Sequence, residues 1–584
     1  MAVRSGAPII RSVAVLQMYF LGLSALDHDT AAALLGEHGF SAAIEESKLE
    51  RSRATAGIPR AAIRFCLERA GIAWRDLAAI AVASRPWRSW ARRSTLRARF
   101  LPLAPISTAY YESKTLGDLA RDLNNHRILR LLSGDARAPV LHFDHHLCHA
   151  ASAFYSSPFD RALILTFDEH GDGRAGMVAI GEGENIRVKQ TVPFPHSLAW
   201  VYSQVTELIG YRPHEHEHKT QWLSLTAEPA FLAVFLQMLR SGSGPFPRLN
   251  SSFFATGYAG RLAFSRKFYD ALGFSPQPGA EIDEPTRSIL AGSLQKACEI
   301  VITELAESLR KRHAADNLCL AGGLFLNPLL VSALQTKSGF DEIFVQPAAG
   351  NEGTALGAAF LARREKTGHA RTAPLSHLYL GPSYSNEDIK NVLDNCKAVY
   401  RWLDSDVKKI DEAVKLLVSG KIVAWFQGAA EFGPRALGNR SMFASPWAPY
   451  VKENLNDYVK HREPFRPFAL SVPEEDANHY FEFTPPAHFM ATMGRLRPEH
   501  RGLLSMHALP GDLVRLHVVA RHANPICWNL LKGFGSQAPA PVLLNTSFNL
   551  FGEPLVLSPR DAVRSYFCSG ADALVIGSFL LAKS

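Results

Sequence analysis

Apolar runs separated by short polar breaks dominate the first part of the chain. The run at 20–25 breaks at a polar tip around His28 and resumes at 31–35, and the run at 162–167 breaks at 168–173 and resumes at 177–180. Two short apolar runs joined by a polar turn are typical of a β-hairpin. The sequence therefore predicts two similar hairpins, each with a polar tip.

Helical patterns lie between the predicted strands. Residues 63–70 and 289–311 have the pattern of helices, whereas 318–320 predicts a further strand. Strands that alternate with helices indicate an α/β fold. Paired hairpins recur in the actin-like, sugar-kinase-like fold, where they face each other across a nucleotide cleft. Two unrelated surface turns are the alternative.

The pattern of apolar and polar residues changes between 375 and 385. Gly381-Pro382-Ser383 interrupts it there, and a new helix is predicted to begin near Asn386. Apolar runs at 422–426 and 542–544 predict strands beyond this point. A chain of 584 residues also exceeds the size of a single hydrophobic core. We therefore predict two α/β domains, 18–377 and 378–584.

Composition indicates a folded, cytoplasmic protein. Hydrophobic residues make up 47% of the chain and charged residues 20%, which is ordinary for a globular protein. The seven cysteines are scattered without a CxxC pair, as expected in a reducing compartment. The apolar stretch Ser12–Leu26 lacks a cleavage site and predicts a buried strand. No segment approaches the apolar length of a membrane span, so no membrane partner is expected.

The net charge of +8 has three explanations. Six arginines between 85 and 99 surround Trp87 and Trp90, a composition that suits nucleic-acid binding. A solvated basic helix has the same composition, and phosphate-bearing substrates also favour positive charge. The solvated helix is preferred, and nucleic acid is not expected as a partner.

Two histidine clusters are candidate metal sites. The run HHLCHAASAF favours helix and places His145 and His149 on one face, with Asp168 at the end of a strand as a third ligand. Nitrogen and oxygen donors suit Fe(II), Mn(II) or Zn(II), although helical histidine pairs are often structural. The run His214–His218 is a competing cluster, for which a loop is preferred because metal ligands need rigid support.

Glycine turns at 322–323 and 350–353 follow or precede apolar elements. Such turns let a ligand approach the backbone closely, and nearby helix N-termini favour phosphate. Together with the hairpins they indicate a nucleotide cleft, with tight packing turns as the alternative.

The second part has a dense run of cations in EFGPRALGNRS (431–441), in VKHREPFRPFA (459–469) and at Arg515. Cations among apolar neighbours are costly to bury unless they pair with an anion. Because arginine can hold phosphate or carbamoyl oxygens bidentately, the run indicates a small dianion. A salt-bridge network with Glu431, Glu453, Asp457 and Glu463 is the alternative.

Six motifs in this order, from HHLCHAASAFYSSPF through GGLFLN, PAAGNEGTALGAA, EFGPRALGNRS and VKHREPFRPFA to LLNTSFNLFGEPLV, carry a resemblance to a known family. The chain resembles the NodU/CmcH O-carbamoyltransferases. The resemblance implies an actin-like carbamoyl-transfer domain similar to tRNA threonylcarbamoyl transferases. It also implies a YrdC-like domain, similar to threonylcarbamoyladenylate synthases, that makes carbamoyladenylate from carbamoyl phosphate and ATP.

The resemblance also implies roles for individual residues. His28 would be the base for the acceptor hydroxyl, for which imidazole has a suitable pKa. A divalent metal, Fe(II) by resemblance, would be bound by His145, His149, Asp168 and Asn351. Nucleotide and carbamoyladenylate would contact Lys219, Gly322, Gly323, Asn327 and Gly353. Carbamoyl phosphate and ATP, with its Mg²⁺, would be held in the second domain by Arg435, Lys460, Arg462, Arg466, Arg515 and Asn545.

Three positions depart from the family pattern. Asn351 stands where the family often has an aspartate ligand, so metal affinity is expected to be reduced or the metal to differ. The tip DEHGDG differs from the DGxGE of relatives, which leaves Asp172 open as an alternative ligand to Asp168. The segment HKTQWLSL replaces KVMGLA, which puts contacts near Lys219 in doubt.

The expected function is ATP-dependent O-carbamoylation of a hydroxyl on a small natural product or sugar. Threonylcarbamoyl transfer to tRNA is one alternative, and a non-catalytic nucleotide-binding regulator, suggested by Asn351, is another. Hydrogenase maturation is not favoured because its acylphosphatase module and CxxC pairs are missing. A homodimer is one option for the oligomeric state, which the sequence leaves open.

Overall fold

The structure is a computed structural model that describes residues 18–25, 28–53, 55–85, 120, 123–134, 137–241, 244–254, 264–274 and 282–583. The arginine and tryptophan cluster lies outside these ranges except for Arg85, as do 12–17 of the predicted N-terminal strand. Three β-sheets organise the described residues.

The first sheet has five strands in the order β3-β2-β1-β4-β5. β1, β2 and β3 pair antiparallel, whereas β1, β4 and β5 pair parallel. The first predicted hairpin is therefore confirmed as β1–β2. The five strands are β1 (Tyr19–Ser24), β2 (Ala31–Leu35), β3 (Phe40–Glu45), β4 (Leu77–Val82) and β5 (Val140–His142).

The second sheet repeats the plan of the first. Its order is β8-β7-β6-β9-β10, with the first three strands antiparallel and the last pairs parallel. The second predicted hairpin is confirmed as β6–β7, although its strands are longer than predicted. A duplicated sheet of this order is the actin-like arrangement that the paired hairpins predicted. The strands are β6 (Arg161–Gly171), β7 (Arg174–Glu182), β8 (Asn185–Pro193), β9 (Asn317–Ala321) and β10 (Glu342–Val345).

Two helices pack between these sheets and share one apolar core with them. Phe154, Ile164 and Phe360 belong to this core. The helices approach closely because residue 357 is glycine: a Cβ there would lie 1.8 Å from the carbonyl oxygen of Cys148. The helices of the first part are α1 (Glu46–Glu50), α2 (Arg60–Ala70), α3 (His145–Phe154), α4 (Leu198–Leu208), α5 (Glu217–Leu223), α6 (Leu232–Leu239), α7 (Arg266–Leu272), α8 (Glu284–His313), α9 (Pro328–Lys337) and α10 (Thr354–Thr367), of which α3 and α10 are the two between the sheets.

The second part is built on one sheet of ten strands, in the order β11-β20-β19-β12-β13-β18-β14-β17-β16-β15. The strands predicted at 422–426 and 542–544 are present, as is the helix at Asn386. The strands are β11 (Arg401–Trp402), β12 (Val423–Phe426), β13 (Arg440–Ala444), β14 (Ala469–Pro473), β15 (Phe481–Glu482), β16 (Met493–Leu496), β17 (Leu513–Val519), β18 (Leu543–Ser547), β19 (Ala573–Ile576) and β20 (Phe579–Ala582).

The helices of the second part cover the two faces of this sheet. A π-helical segment, Asn454–Lys460, continues from the short helix α13. The α-helices are α11 (Asn386–Asn395), α12 (Asp406–Val418), α13 (Val451–Glu453), α14 (Glu474–Tyr480), α15 (Arg501–Leu504), α16 (Pro525–Gly535) and α17 (Pro559–Phe567). Within the described ranges, no helix combines the length and the apolar character needed to cross a bilayer.

The two parts share an apolar cluster and a buried ionic joint. Ala33 and Leu356 of the first part pack in one cluster with Phe432 and Leu437 of the second. Contacts of this kind fix the two parts against each other. The predicted boundary between 377 and 378 stays a prediction.

Candidate functional site

The predicted histidine pair and Asp168 meet at one point. His145 and His149 lie on α3, and the Nε2 atom of each is 3.1 Å from Oδ2 of Asp168 at the end of β6. Their three ligand atoms lie within 4.8 Å of one another, and they form the one group of three or more potential metal ligands found in the described ranges. We call His145, His149 and Asp168 the His–His–Asp site.

The carboxylate of Asp172, the alternative ligand, is hydrogen-bonded to backbone N–H groups. Its Oδ2 accepts a hydrogen bond from the backbone N–H of His145 at 2.9 Å, and both carboxylate oxygens accept from the N–H of Arg85 at 3.1 Å. The residue has a φ of 49°, in the left-handed region that suits a tight turn. Asp172 therefore supports the start of α3, and Asp168 is the carboxylate that faces the imidazoles.

The carboxylate of the site is ionised. Burial raises the pKa of Asp168, but hydrogen bonds from His145 and His149 outweigh it and hold the pKa well below its usual range. Burial lowers the pKa of both imidazoles, but at His145 the hydrogen bond and the charge of Asp168 outweigh burial and raise the pKa. The ionised carboxylate suits a divalent metal, whose binding would release the proton that Asp168 holds on the histidine pair. The Nδ1 atoms of both histidines have no hydrogen-bond partner in the described part of the chain, so the usual support behind metal-binding histidines is missing.

The predicted nucleotide-binding turns also have structural roles. A Cβ at Gly322, where φ is +100°, would lie 2.2 Å from the carbonyl oxygen of Phe167, and one at Gly353 would lie 1.9 Å from that of Ala348. The side chain of Asn327 caps α9 by accepting from two backbone N–H groups and donates to Gln295 at 2.7 Å. Packing accounts for these three residues, and their contact with nucleotide stays a prediction. Gly323 borders the site, because a Cβ there would lie 3.0 Å from Oδ1 of Asp168.

The tips of both hairpins meet beside this site. Nδ1 of His28 lies 2.8 Å from Oδ2 of Asp29, and Nδ2 of Asn351 lies 3.3 Å from both His28 ring nitrogens. The rings of His28 and His214 are 5.8 Å apart, and His214 is 2.9 Å from the carboxylate of Glu169 at the second tip. The predicted arrangement of facing tips is thus present. Oδ1 of Asn351 is buried without a partner in the described ranges, which leaves it free to bind a ligand.

His28 is charged in this arrangement. Burial lowers its pKa, but the hydrogen bond and charge of Asp29, with the charges of Asp168 and Glu169, raise the pKa to about 9. A general base must be neutral, whereas a protonated ring donates hydrogen bonds. The geometry therefore places His28 beside the site. As long as no cation offsets the charge of these carboxylates, the protonated ring donates hydrogen bonds and does not abstract a proton.

The predicted anion-binding residues of the second part also converge. Arg515 is on β17, Asn545 is on β18, and Lys460 ends the π-helical segment, where it donates to the backbone oxygens of Ser547 and Asn549 at 2.8 and 3.0 Å. Arg435 reaches into the first part and donates to the carbonyl oxygen of Leu326 at 2.8 Å. We call the five basic residues the cation cluster: Arg435, Lys460, Arg462, Arg466 and Arg515.

These cations are crowded and poorly neutralised. Burial lowers the pKa of Arg435 to about 10, and burial together with Arg466 lowers that of Arg462 to about 9. Burial and then the neighbouring arginines hold the pKa of Arg515 well below its usual value. The Nε atoms of Arg515 and Arg466 have no partner in the described part of the chain. Buried guanidinium groups that repel one another and have N–H groups without acceptors are typical of a site that binds an anion.

A salt-bridge network does not account for the cluster. Within the described ranges, Glu463 is the one carboxylate that forms an ion pair with a cluster member, at 3.9 Å from Arg466. Glu463 also lies 2.7 Å from Nζ of Lys219. The carboxylate of Glu431 instead accepts from the backbone N–H groups of Leu437, Asn439 and Arg440.

The segment from His214 to Trp222 extends from His28 to the cation cluster. His214, just before α5, lies beside His28, whereas Lys219 pairs with Glu463 and the ring of Trp222 is 6.0 Å from the guanidinium of Arg515. The His214–His218 run is a loop only as far as His216, because Glu217 and His218 begin α5, so the preferred loop is present in part. These five residues do not gather into a metal site. Lys219 belongs to the edge of the cation cluster, where sequence reasoning had not placed it.

Lys48 joins the first part to the loop of the cation cluster and was missed by sequence reasoning. Its buried Nζ donates to Oε1 of Glu45 at 2.9 Å and to the carbonyl oxygens of Glu431 and Gly433 at 2.7 and 2.8 Å. The same Glu45 oxygen accepts from the N–H of Gly433 at 2.7 Å. Residues 431–435 form the loop that includes Arg435. The Lys48–Glu45 pair therefore fixes this loop of the cation cluster to the first part. A lone lysine in EESKLE carries no sequence signal for such a role.

Comparison with known proteins agrees with this architecture. Residues 19–360 match the family model described as carbamoyltransferase N-terminus, and 414–583 match carbamoyltransferase C-terminus. The chain is 32% identical to nodulation protein NolNO of Sinorhizobium fredii, with 95% of this chain and 79% of that protein covered. It is also 32% identical to the uncharacterized protein sll1178 of Synechocystis, with 97% of both chains covered.

A relative with a named reaction is 3'-hydroxymethylcephem-O-carbamoyltransferase of Amycolatopsis lactamdurans. The identity is 31%, with 51% of this chain and 54% of that protein covered. The motifs that carried the resemblance lie in the two matched regions, and the prediction of family is confirmed. This chain belongs to the carbamoyltransferase family, and it is a carbamoyltransferase enzyme.

Proposed function

We propose that this enzyme makes carbamoyladenylate from carbamoyl phosphate and ATP, and then transfers the carbamoyl group to a hydroxyl of a small molecule. The observation that carries the proposal is the pairing of an unneutralised cation cluster with a separate His–His–Asp site in one chain. The first suits phosphate-bearing donors, and the second suits a group that must be polarised for attack.

The first half-reaction is assigned to the cation cluster. Carbamoyl phosphate loses its phosphoryl group to water, and the carbamate oxygen attacks the α-phosphorus of ATP. Atom balance then gives carbamoyladenylate, pyrophosphate and phosphate from one carbamoyl phosphate, one ATP and one water. Arg435, Arg515 and Lys460 would bind the phosphate oxygens and offset the charge that develops on them. Mg²⁺ would accompany ATP.

The second half-reaction is assigned to the His–His–Asp site. His145, His149 and Asp168 fit a divalent metal, for which we propose Fe(II), and the unpartnered oxygen of Asn351 is a candidate fourth donor. Such an ion supplies Lewis acidity that polarises a carbonyl group. His28 lies at the facing tip, where it would hold the acceptor oxygen. It would receive the hydroxyl proton only when a bound cation offsets the carboxylate charges that otherwise keep its ring protonated. Water must be excluded because the mixed anhydride would otherwise hydrolyse.

The acceptor is proposed to be a small natural product or sugar. The relative from Amycolatopsis lactamdurans is named for a hydroxymethylcephem acceptor, and NolNO is named for nodulation. The alternative of transfer to tRNA rested on the arginine and tryptophan cluster, which lies outside the described ranges apart from Arg85. The alternative of a regulator rested on Asn351, whose amide oxygen can still coordinate a metal.

The test is pyrophosphate release from ATP by the purified, anaerobically Fe(II)-reconstituted protein. We expect release that requires carbamoyl phosphate and disappears in Arg435→Ala. Arg497→Ala is the matched control, since this arginine of the same part pairs with Glu482 at 3.8 Å and lies outside the cluster. ATP binding without carbamoyl-phosphate-dependent release would contradict the proposal and favour the regulator.

A further inference from the structure

A polar patch on the ten-stranded sheet borders the cation cluster. Arg515 on β17 and Asn545 on β18 both pair with Ala469, from opposite sides of β14. Two residues further along β14, Ser471 pairs with His517. Because directly paired residues project from the same face of a sheet, all four polar side chains share that face. Two strand spacings, about 10 Å, separate the backbones of Arg515 and Asn545.

The amide of Asn545 is held in one orientation. Its Nδ2 atom lies 3.4 Å from the carbonyl oxygen of Ala436 and 3.1 Å from Oγ of Ser471. A carbonyl oxygen can only accept, so the amino half of the amide must face Ala436. Oδ1 is thereby left on the opposite side, buried and without a partner in the described part of the chain. A buried acceptor without a partner is costly unless a ligand donates to it.

Ser471 and His517 complete the support behind this amide. Oγ of Ser471 lies 2.8 Å from Nδ1 of His517, and that nitrogen lies 3.3 Å from Nδ2 of Asn545. Ser471 is 0% and His517 2% exposed. Burial, with nearby His488 and Arg515, lowers the pKa of His517 to about 3, so the ring is neutral and one nitrogen can accept. Neither residue has a direct role in the half-reactions proposed above.

We infer that Ser471 and His517 are positioning residues that hold Asn545 with its amide oxygen ready to accept a hydrogen bond from the amino group of carbamoyl phosphate. The inference rests on the proposed function. Carbamoyl phosphate offers an anionic end to the cations and an –NH₂ donor at the other end. Acetyl phosphate has the same anionic end but a methyl group in place of the amino group. The Ser471–His517 pair therefore contributes donor selectivity.

The experiment compares the KM of carbamoyl phosphate with the Ki of acetyl phosphate as a competitor, both measured by pyrophosphate release at saturating Mg²⁺–ATP. In wild type, we expect KM to lie well below Ki. His517→Phe keeps a ring but removes the acceptor nitrogen, and it is expected to raise the KM about tenfold, the value of one lost hydrogen bond. The Ki and kcat should stay within about twofold, because the cations are untouched. Ser471→Ala should shift KM in the same direction.

Two further variants make the result specific. His517→Asn places an amide oxygen near the position of Nδ1 and should restore the KM. His507→Phe is the matched control, since His507 is another buried histidine of this part, whose Nε2 lies 2.8 Å from the carbonyl oxygen of Pro446. It should leave the ratio of Ki to KM unchanged.

The outcomes separate this inference from the proposed function. Wild-type protein that releases no pyrophosphate with carbamoyl phosphate overturns the proposed function and the inference with it. Normal release with an unchanged ratio in His517→Phe overturns the inference alone, as does an equal rise of KM and Ki. If His517→Phe does not fold, the ratio in Ser471→Ala decides in the same way.

Discussion

The His–His–Asp site and the cation cluster differ in how far their charges are neutralised by neighbouring groups. At the first, the carboxylate of Asp168 lies 3.1 Å from two imidazoles and is hydrogen-bonded within the site, although Nδ1 of each histidine has no partner in the described part of the chain. At the second, only one of five basic side chains, Arg466, forms an ion pair with a carboxylate in the described ranges, and the Nε atoms of two arginines have no partner. The excess of buried positive charge makes the second site the more unfavourable of the two without a ligand.

The two sites also differ in how they are assembled. The His–His–Asp site comes from neighbouring elements, α3 and β6, within the first part. The cation cluster needs both parts of the chain, since Arg435 donates to Leu326 and Lys48 fixes the loop that carries Arg435. The metal-type site is therefore assembled locally, whereas the anion site depends on the joint between the parts.

The largest effect is expected for Arg515→Met, which removes cationic donors from the cluster. Two charge-assisted hydrogen bonds to a phosphate, at about 2 kcal/mol each, correspond to a loss of about a thousandfold in carbamoyl-phosphate-dependent pyrophosphate release. The melting temperature should stay the same or rise, because Arg515 lies among other cations. A melting scan beside the release assay checks both. A fall in melting temperature would show that the cluster is a structural network instead.

The next effect is expected for Lys48→Met at the joint. Removing one partner of a buried ion pair leaves the Glu45 carboxylate uncompensated, which costs about 3 kcal/mol in the free energy of unfolding. Urea unfolding measures this loss. Lys366→Met, on the exposed end of α10, is the control and should change stability by less than about 0.5 kcal/mol. An equally small change for Lys48→Met would contradict the role of the joint.

A smaller effect is expected for Asp168→Asn at the His–His–Asp site. The amide keeps one oxygen donor but removes the negative charge, so affinity for Fe(II) should fall about tenfold to a hundredfold. Metal content after anaerobic dialysis against a range of Fe(II) concentrations gives the affinity. Asp172→Asn should retain more metal, because Asp172 accepts from backbone N–H groups and does not face the imidazoles. If Asp172→Asn retained less Fe(II) than Asp168→Asn, Asp172 would be the carboxylate ligand instead.

Local patterns predicted much of the fold. Both hairpins follow from apolar runs joined by polar tips, the helix over 145–154 from its alanine-rich sequence, and the long helix α8 from the helical pattern at 289–311, all of which depend on neighbouring residues. The ten-strand order of the second part could not follow in this way, because β13, β14, β17 and β18 come together from distant positions. Strand pairing of this kind is set by tertiary packing, which leaves little trace in local sequence.

The site residues divide along the same line. His145 and His149 were predicted because their spacing is local, and Asp168 because it ends a predicted strand. Most cations of the cluster were predicted because they lie in two dense motifs, whereas Arg515 lies apart from these motifs. Lys48, Ser471 and His517 were missed, since each gains its role from partners far away in sequence. Lys219 was predicted as a nucleotide contact of the first part, and its position beside Glu463, at the edge of the cation cluster, was not foreseen.

The central claim is that the cation cluster performs the first half-reaction without the His–His–Asp site. The most direct measurement is the single-turnover burst of pyrophosphate from ATP and carbamoyl phosphate, compared between Fe(II)-loaded protein and protein stripped of Fe(II), with Mg²⁺ held constant. We expect bursts of equal amplitude from the two preparations. A burst that disappears when Fe(II) is removed and returns when it is restored would contradict the claim.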